Sequence, residues 1–174
     1  MPEPNKYIIY QLEQKAQSKF ITEKVLIKIK NSLMTWDYSN ENINQFDIKY
    51  RNNIFFQPMP IIKKNLHNNL PIKYDILFFG SNCIRRNKIL NYLKRKYNIF
   101  TTNNIFGEQL YNIILQSKII LNIHLYENAI LETARLNEVL IFGKLIISEL
   151  PCEGDHINKN FYQDKVIFCN SIDM

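Results

Sequence analysis

Two stretches carry polar residues in patterns that suit chemistry. The first is Phe79-Gly80-Ser81-Asn82-Cys83-Ile84-Arg85-Arg86, where an apolar run ends in small residues and a helical pattern opens on two arginines. Gly80 permits close approach of a ligand to the backbone, and a helix N-terminus offers free N–H groups and a partial positive charge. An arginine there can fork onto phosphate oxygens. The stretch is neither a P-loop nor GxGxxG, and a tight turn with solvated arginines has the same spelling. The second stretch runs from Leu121 to Glu138. Asn122 and His124 alternate on one strand face, while Glu132, Arg135 and Glu138 follow at steps of three along one helix face. That spacing fits a surface salt-bridge ladder. The functional alternative, which the spacing favours less than the ladder, is a carboxylate that accepts ribose hydroxyls with a cation beside a diphosphate.

Other catalytic templates are missing. There is no GxSxG elbow and no HExxH, and His67 and His156 fall in polar connections. Cys83, Cys152 and Cys169 form no CxxC, which argues against a zinc site or a disulfide framework and suits a reducing compartment.

Apolar runs alternate with amphipathic stretches along the chain. Strands are expected at 7–12, 35–39, 54–57, 74–79, 98–101, 118–125, 144–148 and 165–169. Helices are expected at 22–33 with Thr22 as N-cap, at 85–97 with Arg86 on the open face, at 107–117 and at 131–142, the last stopped by Gly143. A polar turn is expected after Ser39, and 58–73, with three prolines, reads as a linker or ordered connection. Strand–helix repetition with near-continuous apolar strands predicts an α/β fold, a Rossmann-like parallel sheet with helices on both faces. Ligands of such sheets sit at the carboxyl ends of strands near a topological switch point, here after Phe79, after Leu125 and after Ile147.

The chain has 174 residues, 46% hydrophobic and 22% charged, enough for one packed core and too few for two complete domains. Twenty-two Lys+Arg against 16 Asp+Glu give +6, which suits an anionic partner and decides little alone. The abundance of Asn, Ile, Lys and Tyr looks like the bias of an AT-rich genome. No apolar stretch approaches the ~18 residues of a membrane span, and the first residues lack a secretory pattern, so no transmembrane segment and a cytoplasmic location are expected. No recognised nucleic-acid motif is present, so a specific nucleic-acid partner is not expected.

The segment FFGSNCIRRNKILNYLKRKYNI, followed by FGEQLYNIILQSKIILNIHLYENAILETARLNEVLIFGKLIISE, resembles the carboxyl-terminal half of GT-B glycosyltransferases, in the branch related to spore-protein and viral or bacterial enzymes. YQLEQ (10–14) and WDYSNEN (36–42) look like segments near the end of that family's amino-terminal domain. The resemblance implies a remnant of the amino-terminal domain with linker at 1–60 and a nucleotide-sugar-binding domain at 61–174. It implies transfer of a sugar from a nucleotide-diphosphate sugar to an acceptor, a glycan or a protein, with no metal and no cofactor beyond the donor substrate. By position, Gly80 and Ser81 would approach the donor phosphates, Arg85 or Arg86 would neutralise them, and His124 would line the cleft. Glu138 would bind the ribose, with Glu132 and Arg135 as close neighbours. The chain has room for one such domain and the tail of another. That implies a fragment or divergent remnant, or a separate chain supplying the missing domain. A non-catalytic nucleotide-binding or assembly module is the alternative.

Overall fold

β-branched and aromatic runs form eight strands among the described residues, and every pairing between them is parallel. The computed structural model describes residues 3–61 and 70–170. The first sheet contains β1 (Ile8–Gln11), β2 (Met34–Asp37) and β3 (Ile54–Phe56) in that order. Helices α1 (Glu23–Asn31), α2 (Asn40–Asn44) and α3 (Ile48–Arg51) bury Ile29, Ile43 and Tyr50 against Ile54, together with Phe46 from the connection between α2 and α3.

The second sheet contains β4 (Tyr74–Phe79), β5 (Ile99–Thr102), β6 (Ser117–Asn122), β7 (Leu145–Glu149) and β8 (Ile167–Cys169), in the order β5-β4-β6-β7-β8. Side-chain alternation gives it two apolar faces. Ile76, Phe78, Leu121 and Ile123 pack with Leu90 of α4 (Ile84–Leu93). Leu77, Phe79, Ile120 and Ile146 meet α5 (Gly107–Leu115), α6 (Thr133–Leu140) and α7 (His156–Tyr162) through Leu110, Ile114, Leu136, Val139 and Tyr162. The chain leaves β4 toward one edge and β6 toward the other, so the switch point lies between their carboxyl ends. This is the doubly wound order 2-1-3-4-5, a Rossmann-like α/β fold with helices on both faces.

Several local expectations need correction. The segment after Ser39 is helix α2, not a turn: Ser39 Oγ accepts the Asn42 N–H at 3.2 Å, as an N-cap does. Thr22 sits at the N-cap of α1 without a side-chain cap bond. Helix α3 and helix α7, the latter preceded by a 3-10 turn at Glu153–Asp155, were not foreseen. Strand β6 stops at Asn122, and α6 starts at Thr133 because Glu132 takes its N-cap position. The helix ends at Leu140, two residues short of the expected Phe142, and Gly143, at φ 62°, closes the turn that follows its C-cap Ile141. Residues 62–69 of the expected connection, His67 among them, lie outside the described residues, and its flanks carry neither helix nor strand. Among the described residues no helix is long and apolar enough to cross a membrane.

Candidate functional site

The carboxyl ends of strands from both sheets converge on one cavity of about 290 Å³. Leu12, Glu13 and Gln14 after β1 and Tyr38 after β2 line one side. Ser81 after β4, Leu125 and Tyr126 after β6, and Glu132 to Arg135 at the start of α6 line the other. Gln14 closes one seam by pairing with the Ile130 backbone as a second amide would: its Nε2 donates to Ile130 O and its Oε1 accepts from Ile130 N, both at 3.3 Å.

Gly80 holds the turn against α6. Its φ of +147° strains any side-chain-bearing residue, and a Cβ there would sit 2.7 Å from Nη2 of Arg135. The Gly80 turn and the start of α6 therefore touch, as a site shared between them requires. Arg135 spans the contact. It pairs with Glu132, donates from Nη1 to Asn122 Oδ1 at 2.6 Å, and lies over the rings of Phe78 and Phe79.

The two arginines of α4 depart from expectation. Arg86 is not on the open face; it is 1% exposed. Its Nε donates to Ile123 O (2.9 Å), Nη1 to Ser81 O (2.9 Å) and Nη2 to Glu132 Oε1 (2.9 Å). It fastens the β4 turn, the end of β6 and the start of α6 together, and a guanidinium so enclosed is not offered to phosphate. Burial lowers its pKa, and Glu132 opposes that shift. Arg85 forms a two-pronged pair with Glu149 at 2.8 and 2.5 Å and also donates to His124 O at 3.0 Å. Glu149, 2% exposed at the end of β7, also accepts the His124 N–H at 2.6 Å.

His124 is 2% exposed, and neither ring nitrogen has a hydrogen-bond partner among the described residues. It sits behind the cavity wall, not on it. Burial pushes its pKa down, against the pull of Glu132 and Glu149, so the neutral imidazole is favoured. Glu138, expected at a ribose, is half-buried on α6 one turn beyond Arg135 and outside the cavity lining. The structure thus brings Gly80, Ser81, Arg86, Glu132 and Arg135 into one cluster, while Glu149 joins Arg85 and His124 to each other.

Three residues were missed. Glu149 ends a strand that the switch-point rule already marked, which was its available signal. Thr133 lines the cavity at 2% exposure with its hydroxyl unpartnered among the described residues. Glu13, inside YQLEQ, adds a second carboxylate to the wall. Among the described residues no cluster of His, Cys, Asp and Glu is arranged to hold a metal ion.

No family model matches the chain. An uncharacterized protein of Acanthamoeba polyphaga mimivirus, R358, is 34% identical over 142 residues, covering 75% of this chain and 48% of that protein. The chain spans about half the length of that curated relative.

Proposed function

We propose that the chain binds a nucleotide-diphosphate sugar in the cavity between the sheets and is the donor-binding part of a glycosyltransferase. The observation that carries the reading is the abutment of the Gly80 turn and the start of α6 at the switch point, with Arg135 and Thr133 in the cavity lining beside it. The motif resemblance supports it. In this reading Arg135 and the N-terminus of α6 face the diphosphate, and Thr133 donates to it. Arg85 and Arg86 act at one remove, by holding the turn. Such fixed dipoles stabilise a departing diphosphate during displacement at the anomeric carbon. The ribose role that the resemblance gives Glu138 requires the nucleoside to extend out of the cavity along α6, one turn past Arg135. The acceptor, a glycan or a protein, and the general base belong to the longer protein or to a separate chain that completes the second domain. The three free cysteines suit a cytoplasmic setting.

A second reading, a nucleotide-binding or assembly module without transfer, is favoured by one observation: both arginines of α4 are engaged in internal ion pairs.

Calorimetry with UDP, GDP, ADP and their sugars tests the proposal. Thr133→Val should weaken diphosphate binding by about 1 kcal/mol while leaving stability equal or higher, since it removes a buried unpaired hydroxyl. Glu138→Ala should cost about 1–3 kcal/mol of affinity if the carboxylate holds the ribose. Absence of binding by every nucleotide at millimolar concentration would refute the reading. Binding without transfer in the presence of the completing domain would select the second.

A further inference from the structure

The five parallel strands of the second sheet all begin at the end away from the cavity, and the helices between them run back to it. Register fixes what meets there. Ile76 pairs with Ile99 and Ile119, and Ile119 with Leu145, so Asp75, Asn98, Lys118 and Lys144 lie side by side one position below. Hydrogen bonds tie the turns beneath them: the Lys73 N–H donates to Gln116 O at 2.8 Å, Asn98 Nδ2 to Lys73 O at 2.8 Å, and Lys144 Nζ to Leu115 O at 2.7 Å. The turn after α4 adds Lys94, Arg95 and Lys96, and the turn after α7 adds Lys165.

The acids of this end are fewer than its bases: Asp75, which Lys118 engages at 2.7 Å, exposed Asp164 and half-buried Glu138 in the last turn of α6. Among the described residues Lys73, Lys94, Arg95, Lys96 and Lys165 have no ion-pair partner, and all five are exposed. The carbonyl ends of α4, α5, α6 and α7 carry about half a negative charge each, so they offset only part of the excess. At the cavity end, by contrast, Arg85, Arg86 and Arg135 are all tied to internal carboxylates. Apolar side chains stand among the free bases. Ile72 and Tyr97 precede β4 and β5 by two residues, Leu145 and Ile167 open β7 and β8, and each is between 45% and 53% exposed. Cations around aliphatic and tyrosyl tips suit a lipid surface, where the charges meet phosphates and the tips enter the acyl boundary. A nucleic acid would draw the same cations but gain nothing from Ile72, Leu145 and Ile167, which offer no ring for bases to stack on.

We propose that the amino-terminal end of the five-stranded sheet docks on an anionic lipid surface, with Lys73, Lys94, Arg95 and Lys96 at the headgroups and Ile72, Tyr97 and Leu145 entering the interface. The strands β4 and β6, six residues each, set the cavity about 20 Å from that surface, so docking does not cover it. The inference stands whether or not the cavity takes a nucleotide.

The test is flotation of the whole chain with vesicles of phosphatidylcholine alone and of phosphatidylcholine mixed with phosphatidylserine. Binding is expected to the mixed vesicles only, and to fall steeply as salt is raised. Neutralising the α4 turn with Lys94→Gln, Arg95→Gln and Lys96→Gln should lower partitioning roughly a hundredfold at an unchanged urea midpoint. Ile72→Ser with Tyr97→Ser should lower it roughly tenfold. Lys24→Gln, Lys28→Gln and Lys30→Gln, the same charge change on exposed positions of α1, should leave it unchanged. No partitioning into the mixed vesicles, an α4-turn variant that binds as the wild type does, or an equal loss in the α1 variant would overturn the proposal. Tighter binding to a duplex oligonucleotide than to the vesicles, indifferent to the Ile72 and Tyr97 changes, would overturn it in favour of nucleic acid.

Discussion

Replacing Arg86 by methionine keeps most of the side-chain volume and removes the charge and all three donors. The structure makes this a stability experiment. Two carbonyls, Ile123 O and Ser81 O, lose a charged donor, and Glu132 Oε1 loses its ion pair while 16% exposed. The guanidinium contact with the Phe78 ring, 5.3 Å to the centroid, goes as well. Breaking a buried pair by deleting one partner costs about 3–5 kcal/mol. The retained pairing of Glu132 with Arg135 and the apolar burial of methionine pull toward the lower end, about 3 kcal/mol. With a urea slope of about 2 kcal/mol/M, the midpoint should fall by about 1.5 M at unchanged slope. Arg86→Lys, which keeps the charge but loses the fork, should recover part of that loss. A midpoint shift below about 0.5 M, accompanied by loss of nucleotide diphosphate affinity, would refute the reasoning and return Arg86 to direct phosphate contact.

Gly80→Ala meets both a backbone strain and the Arg135 guanidinium, so a loss of about 2–3 kcal/mol in chemical denaturation is expected; a neutral result would mean the turn rearranges freely. Glu149→Gln replaces the two carboxylate oxygens that Arg85 grips by one amide oxygen, leaving the His124 carbonyl as its other acceptor, and should cost about 2–3 kcal/mol, measurable by calorimetric melting. Tyr162→Phe deletes the hydroxyl that donates to Asn137 Oδ1 at 2.5 Å and should lower the melting temperature by about 2–4 °C.

The second sheet was legible because its strands are apolar runs of ordinary length between amphipathic helices; Tyr74–Phe79 was delimited to the residue. The switch point followed from that order, and with it the place of the cavity. Arg86 was misread because an arginine at a helix start defaults to solvent, and what buries it is Glu132, 46 residues away, together with carbonyls that no side-chain pattern reveals. Helix α2 spans five residues, too few for a period, and depends on a cap and on buried Asn42. Helix α7 reads HINKNFY, with its buried positions at Asn158 and Tyr162, so its inward face is partly polar and carries no apolar stripe. Asp155 gained meaning only when the fold brought Ser39, 116 residues away, and the Leu131 amide to its carboxylate beside the local Asn158.

The sole tryptophan, Trp36, stands in β2 beside Asp37, with Tyr10 edge-on to its ring. Its emission accordingly registers melting of the three-stranded sheet, whereas far-ultraviolet ellipticity is weighted toward the five-stranded one. If the hydrogen bonds of Gln14, Ser39 and Asn158 bind the halves into one cooperative unit, the two signals will trace a single superimposable transition in urea, whereas sheets that melt independently will give two.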